Sequence, residues 1–325
     1  MQPIRGILTP NITPVDSQGR VDHDKLAGYV DWLIGKGVHG LYPNGSTGEF
    51  VRFTPGERRE IVSTVLRAAN GRVPVLAGAA EANADETIAA CNAYGEMGVA
   101  AVAIVAPFYY RLTPDGVYAY FKKIAESVRV NVTLYNIPLF ASPIDVETVR
   151  RLAMDYPRVV GIKDSSGDVS NMLRMISAVR SQRPEFSFLT GWDTALVPMI
   201  LCGADGGTNA TSGVVPELTK ALFEACEARD IDGALRLQQA LIPLFDLMIG
   251  TPEFPEGFRA GVRARGWDLG PGRQPLTPSQ QAASSSAESQ LAGMIPAANA
   301  TTAPVQLGHL DLDQIVRRVL SQLSQ

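Results

Sequence analysis

The chain has 325 residues, 46% hydrophobic and 19% charged. That is enough to bury a full core, since roughly 250 residues suffice for one α/β barrel. A net charge of −4, with basic residues scattered among acidic ones, gives no electrostatic footprint for nucleic acid and points to small-molecule substrates. Cys91, Cys202 and Cys226 are odd in number, far apart and set in apolar or Ala-rich helical contexts, so no disulfide framework is expected. No apolar run is long enough to span a bilayer, and MQPIRGILTP lacks the basic-then-apolar layout of a signal peptide, so the expectation is a cytoplasmic protein without membrane contact.

From residue 6 to about residue 230, short apolar runs alternate with longer amphipathic stretches, the pattern of repeated βα units. The runs are GILTPNIT (6–13), VHGLYP (38–43), VPVLAGA (73–79), VAAVAIVAP (99–107), VNVTLYN (130–136), RVVGIK (158–163), FSFLTG (186–191) and GADGGTN (203–209). Between them lie helical patterns such as DHDKLAGYVDWLIGKG and TPGERREIVSTVLRAANG, the second opened by Thr54 as cap with Glu57 three residues on. Eight such units predict a closed (β/α)8 TIM barrel over 1–230. A doubly wound nucleotide-binding sheet is disfavoured, because no GxGxxG follows the first strand and no GxxxxGK[ST] occurs.

Residues 231–275 read as a helical extension packed beside the barrel, through ALRLQQALIPLFDLMIG and GFRAGVRARG. From 276 to 309 the composition has no aromatic residue and one acid, Glu288, which predicts a disordered linker. Residues 310–325, LDLDQIVRRVLSQLSQ, place Leu312, Ile315, Val316, Val319, Leu320 and Leu323 at the spacing of one amphipathic helical face.

In such a barrel the active site is built from the C-terminal ends of the strands and the loops after them. Lys163 ends the sixth apolar run, and the other five lysines (25, 36, 122, 123 and 220) lie in helical patterns beside polar residues. Burying a lysine disfavours its ammonium form and yields an amine that attacks carbonyl carbon. The same position also suits a lysine paired to Asp164 or to a core carboxylate. Tyr135, at the end of the fifth run beside Asn136, offers a phenol for proton relay or simply a ring for the core. Ser46, Thr47 and Gly48 follow the second run, and their hydroxyls and closely spaced N–H groups suit the carboxylate of a 2-oxo acid, although Gly-Ser-Thr-Gly turns are common in loops. Tyr109, Tyr110 and Asp193 fall at the same mouth. His23, His39 and His309 are far apart, Asp164, Asp168 and Asp193 read as solvated loop acids, and neither metal nor cofactor is expected.

GLYPNGSTGE, APFYYR, LYNIP, GIKDSSGD and GADGG, in this order and at these intervals, resemble the dihydrodipicolinate synthase and N-acetylneuraminate lyase family over roughly residues 4–275. The resemblance implies a class I, Schiff-base, pyruvate-dependent lyase or aldolase. It implies Lys163 as the imine-forming residue, Tyr135 as proton shuttle, Ser46, Thr47 and Gly48 at the substrate carboxylate, and Ser165 and Asp193 as further substrate contacts. It also implies a homo-oligomer, dimer or tetramer, in which Tyr109 reaches into a neighbouring subunit. Dihydrodipicolinate synthases usually carry an arginine two residues after the YNxP proline, where Phe140 stands here. Sialate lyases carry an acid where Thr194 stands and a serine where Ala210 stands. The expected activity is therefore a 2-oxo acid aldolase with an aldehyde pocket partly lined by Leu139 and Phe140. The alternatives are 4-hydroxy-tetrahydrodipicolinate synthase and a non-catalytic 2-oxo acid sensor. A terminal amphipathic helix after a linker also resembles the peptides that carry enzymes into bacterial microcompartments, which makes a shell protein an expected partner of residues 310–325.

Overall fold

Asp22, Thr54, Asn83, Thr113, Asp145 and Asp168 each place a side-chain oxygen just ahead of an amphipathic stretch. In the computed structural model, which describes residues 3–302, each accepts a backbone N–H from the first turn of a helix. Thr54 and Glu57 form the reciprocal capping box that their spacing announces. The elements alternate as β1 (Gly6–Thr9), α1 (His23–Gly35), β2 (Gly40–Leu41), α2 (Pro55–Ala69), β3 (Leu76–Gly78), α3 (Ala84–Met97), β4 (Ala101–Val105) and α4 (Pro114–Ser127). They continue with β5 (Val132–Asn136), α5 (Val146–Asp155), β6 (Val159–Asp164), α6 (Val169–Val179), β7 (Ser187–Thr190), α7 (Leu196–Leu201), β8 (Gly206–Gly207) and α8 (Pro216–Glu227).

All strand pairs are parallel, in the order β2-β1-β8-β7-β6-β5-β4-β3, and a single parallel bridge between Leu41 and Val75 joins the two ends. The result is the expected (β/α)8 barrel. Its inside is filled by a small cluster of Ile4, Leu8, Tyr42, Leu76, Ala101, Ala103, Val160 and Leu189, whereas the large core lies between strands and helices. The strands are shorter than the apolar runs that predict them, because several of those runs continue into the buried loops at the mouth. β5 ends at Asn136, where its run ends, and β6 runs one residue past its run, so Asp164, not Lys163, is its last residue.

Beyond the barrel stand α9 (Ile231–Gly250) and α10 (Glu256–Ala264), as expected of the helical extension. The expected disordered linker is corrected: Pro278–Ala300 forms a 23-residue helix, α11. Its Ala- and Ser-rich composition hides a stripe of Ser284, Ala287, Leu291, Ile295 and Ala298, all buried, at spacings of three and four. Thr277 and Gln280 close a capping box over Pro278, and Arg263 of α10 binds Glu288 at 2.7 Å and Ser284 Oγ at 2.8 Å. Alanine's helix propensity and this stripe outweigh the lack of aromatics. Residues 303–325, including the expected helix at 310–325, lie outside the described residues.

Candidate active site

Alternation along β6 sends neighbouring side chains to opposite faces. Asp164 turns away from the barrel interior, accepting from Asn136 Nδ2 at 2.7 Å, Ser166 Oγ at 2.8 Å and Ser166 N at 3.2 Å. Burial holds its carboxyl above the usual carboxylate range against these bonds. Lys163 turns inward. It is buried, and among the described residues its Nζ makes neither a hydrogen bond nor an ion pair. Its polar neighbours are ring faces, with Nζ 4.1 Å from the centre of Tyr135 and 4.9 Å from that of Tyr42. The pairing of Lys163 with Asp164 or a core carboxylate, left open by the sequence, does not occur.

Tyr135, on β5 in register with Lys163, is buried with its ring edge-on to Tyr42 at 6.3 Å, and its hydroxyl lies 3.4 Å from Ser46 Oγ. Ser46 belongs to the loop after β2, whose backbone is fixed at both ends by left-handed Asn44 (φ 57°) and Glu49 (φ 58°). Asn44 Nδ2 donates to Arg58 O at 3.0 Å, and Thr13 Oγ1 donates to Gly48 O at 3.1 Å. Within the turn, Gly48 N donates to Gly45 O and Glu49 N to Ser46 O, while the N–H groups of Ser46 and Thr47 have no acceptor among the described residues. The Gly48 N–H is thus engaged with Gly45 O inside the turn at 3.1 Å. The position needs glycine for closeness, since a Cβ there would stand 3.0 Å from Asn11 O.

A cavity of about 60 Å³ surrounds this amine. At ~10–15 Å³ per water-sized sphere it has room for roughly four to six such spheres, enough for a small molecule. Ser46, Thr47, Tyr135, Phe140, Lys163, Ser165 and Asp193 all line it, as do Leu139 and Ala210. Ser165 Oγ and Thr208 Oγ1 face it as buried hydroxyls without a partner. Asp193 is buried and its Oδ1 accepts from Thr211 N at 2.8 Å and Thr211 Oγ1 at 2.5 Å, which ties the loop after β7 to that after β8. Burial raises its carboxyl above the usual range, opposed by the Thr211 bonds. Asp168 caps α6 through Asn171 N at 2.9 Å and takes no part. Tyr109 is outside the lining of its own chain's cavity: it is 89% exposed, left-handed at φ 78° and packed edge-on against exposed Tyr110 at 4.9 Å. Among the described residues no group of three or more His, Cys, Asp or Glu is placed to hold a metal ion, and no helix is long and apolar enough to cross a membrane.

Sequence reasoning missed Thr208, Gly191 and the contribution of the C-terminal extension, from which Phe245, Phe254 and Phe258 reach the cavity. Thr208 carries a local signal, sitting at the exit of the eighth run in GADGGTN. The phenylalanines carry none, because only the tertiary fold brings α9 and α10 over the mouth.

The model of the dihydrodipicolinate synthetase family matches residues 3–293, which takes in most of α11. A Methanopyrus kandleri protein described as 4-hydroxy-tetrahydrodipicolinate synthase is 32% identical over 275 residues, covering 84% of this chain and 90% of that one. An Escherichia coli K12 protein described as a probable 2-dehydro-3-deoxy-D-pentonate aldolase, YjhH, is 34% identical over 248 residues, 75% of this chain and 81% of its own. Among solved structures, YagE of E. coli K12, a prophage protein of the dihydrodipicolinic acid synthase family in complex with pyruvate, superposes with a TM-score of 0.84 at 27% identity, covering 90% of this chain and 98% of that one.

Proposed function

The chain belongs to the dihydrodipicolinate synthetase family of class I pyruvate-dependent lyases, and from that premise we propose that Lys163 carries the chemistry as the imine-forming amine. One observation supports this most: Nζ is buried beside a small cavity and, among the described residues, makes no direct ion pair, Asp193 being the carboxylate that shares the cavity wall. The amine adds to the keto carbon of pyruvate and water leaves, giving an imine. Loss of a methyl proton gives the enamine, whose carbon attacks an aldehyde, and the reverse sequence cleaves a 4-hydroxy-2-oxo acid. The Tyr135 hydroxyl, on the Lys163 side and linked to Ser46, moves the protons of water loss and of the aldehyde oxygen. The unspent N–H groups of Ser46 and Thr47 and the orphaned hydroxyls of Ser165 and Thr208 receive the pyruvate carboxylate, which leaves it 2-oxo-acid shaped and fixed. Asp193 positions the wall of the cavity through Thr211.

Phe140 stands where dihydrodipicolinate synthases hold the carboxylate of aspartate semialdehyde with arginine, so an aldolase acting on an uncharged tail is the preferred reading over 4-hydroxy-tetrahydrodipicolinate synthase. Retention of both amine and phenol speaks against a mere sensor. The exposure and left-handed conformation of Tyr109 support the reading that it reaches into the site of a second copy of a homo-oligomer. Borohydride added with pyruvate should fix a reduced three-carbon adduct on the tryptic peptide carrying Lys163. Label elsewhere, or none, would overturn the assignment. The reading of residues 310–325 as a shell-docking segment rests on sequence pattern alone. A fluorescent reporter carrying residues 308–325 should co-localise with microcompartment shell protein, and a diffuse reporter refutes it.

A further inference from the structure

The last residues of β5 and β6, Asn136 and Asp164, pair across the ladder one step beyond Tyr135 and Lys163. Alternation turns both side chains away from the barrel interior, and both are buried. Asn136 Nδ2 donates to Asp164 Oδ1 at 2.7 Å, and Asn136 Oδ1 accepts from Ile144 N at 3.0 Å. Asp164 also accepts from Ser166 N and Ser166 Oγ, and among the described residues no cation pairs with it. A carboxylate ringed by donors only accepts, so it faces the NH2 end of the Asn136 amide and leaves the carbonyl end for Ile144. The orientation of Asn136 is dictated from both sides.

What this amide closes is the loop after β5. Phe140 N and Ala141 N both donate to Ile137 O, a turn that carries Leu139 and Phe140 to the wall of the cavity around Lys163. Among the described residues, the hydrogen bonds of 137–144 leave the loop at two places. Ser142 N donates to Pro107 O at 3.2 Å and Ser142 Oγ accepts from Leu112 N at 2.9 Å, which ties the loop to the β4 side. Ile144 N donates to Asn136, and through Asn136 the loop is referred to Asp164 on the strand of Lys163. Asp164 also holds Ser166 of the loop that carries Ser165, so the loops on both sides of the amine share one reference point. Tyr135 and Lys163 need no such help, because the ladder pairs them with each other and Lys163 with Leu189. We propose that Asn136 and Asp164 are a positioning pair for the acceptor half of the reaction: they set the wall formed by Leu139 and Phe140 against Lys163, and imine formation does not depend on them.

The inference rests on the imine reading of Lys163, and its test separates the two. The full chain and Asn136→Ala are compared in borohydride trapping with pyruvate, in aldol addition to glyceraldehyde at saturating pyruvate, and in hydrogen–deuterium exchange read by mass spectrometry. In Asn136→Ala the rate of adduct formation on Lys163 should stay within about threefold of native, whereas KM for glyceraldehyde should rise by at least about tenfold. Exchange should quicken in the peptide spanning 137–146 and not in that spanning 186–201, a local loosening that general destabilisation would not give. Asn136→Asp sets two carboxylates against each other and should be worse than Asn136→Ala. The double variant Asn136→Asp with Asp164→Asn exchanges donor and acceptor and should recover most of the loss, less the bond from Ser166 N. If Asn136→Ala fails to fold, Asp164→Asn carries the same comparison, and if glyceraldehyde turnover is too slow for a KM, the exchange data decide. Unchanged KM and exchange, or a double variant no better than Asn136→Asp, overturn the pairing. An equal fall in adduct formation and in aldol turnover overturns the assignment to the acceptor half. Absence of the adduct in the native chain overturns the imine reading instead.

Discussion

Gly191 leaves open the space that Lys163 fills: a methyl group on Gly191 would stand 2.6 Å from Lys163 Cε and nearer still to Ser165 Oγ. The glycine lies at the end of β7, whose Leu189 pairs with Lys163 across the ladder, so neither backbone can retreat independently. Gly191→Ala should therefore push the lysine stem off its rotamer at a cost of about 1–3 kcal/mol. Imine formation should slow by at least about tenfold with the fold intact. Stopped-flow or borohydride trapping with pyruvate measures the rate, and an unaltered rate would show that the lysine does not need this gap.

Tyr135→Phe keeps the ring that packs against Tyr42 and under Lys163 Nζ and removes only the hydroxyl. The expected result is a fall in kcat on the order of 10²–10³ with KM for pyruvate changed little, since proton transfer, not binding, is lost. Ser46→Ala should mimic a small part of this fall if the 3.4 Å contact holds the phenol in place. A Tyr135→Phe enzyme with native kcat would move the proton relay to another group.

The barrel is legible in the sequence because a period of eight apolar runs is a global signal that survives errors at each boundary. Lys163 is legible for a related reason: a charge inside an apolar β-branched run contradicts the local pattern, and such contradictions mark function. Gly48 is legible as important but not in its role, since whether an N–H is spent within a turn depends on the turn's hydrogen bonds. Phe254 and Phe258 are not legible at all, being roughly ninety residues from Lys163 and brought to it by the packing of α9 and α10. The stripe of α11 is present in the sequence, but its small residues give weak contrast against the alanines and serines around them.

Arg259 is fully buried and joins α10 to the loop that carries Ser46 and Thr47, because it binds Glu49 and also donates to Thr13 O at 3.3 Å and Leu269 O at 3.3 Å. Glu256 lies 3.4 Å from it, so this guanidinium serves two buried carboxylates, of which Glu49 is also bound by Arg52 at 2.6 Å. Arg259→Met should cost about 3–5 kcal/mol in urea unfolding, because it removes a buried partner from both carboxylates and leaves Glu49 with Arg52 alone. In the fraction that folds, KM for pyruvate should rise as the loop loosens. A loss under about 1 kcal/mol would mean that Arg52 alone balances Glu49.

The last prediction concerns acid. Arg273, in the segment between α10 and α11, binds the Glu57 carboxylate with two nitrogens, one contact being 3.0 Å, and together with Thr54 this holds Glu57 down to about 2, from an ordinary 4.5. A carboxyl lowered in the folded state stabilises the fold fully above its unfolded value and loses that contribution as pH falls from about 4.5 through about 2. Both side chains are partly exposed, so solvent screening reduces the contribution to about 1 kcal/mol. Glu57→Gln retains an acceptor for the capping box and removes the charge. Urea unfolding of the two proteins should therefore differ by about 1 kcal/mol at pH 7, and the gap should close progressively below pH 4.5. A gap that stays constant down to pH 3 would assign the difference to the cap and not to the ion pair.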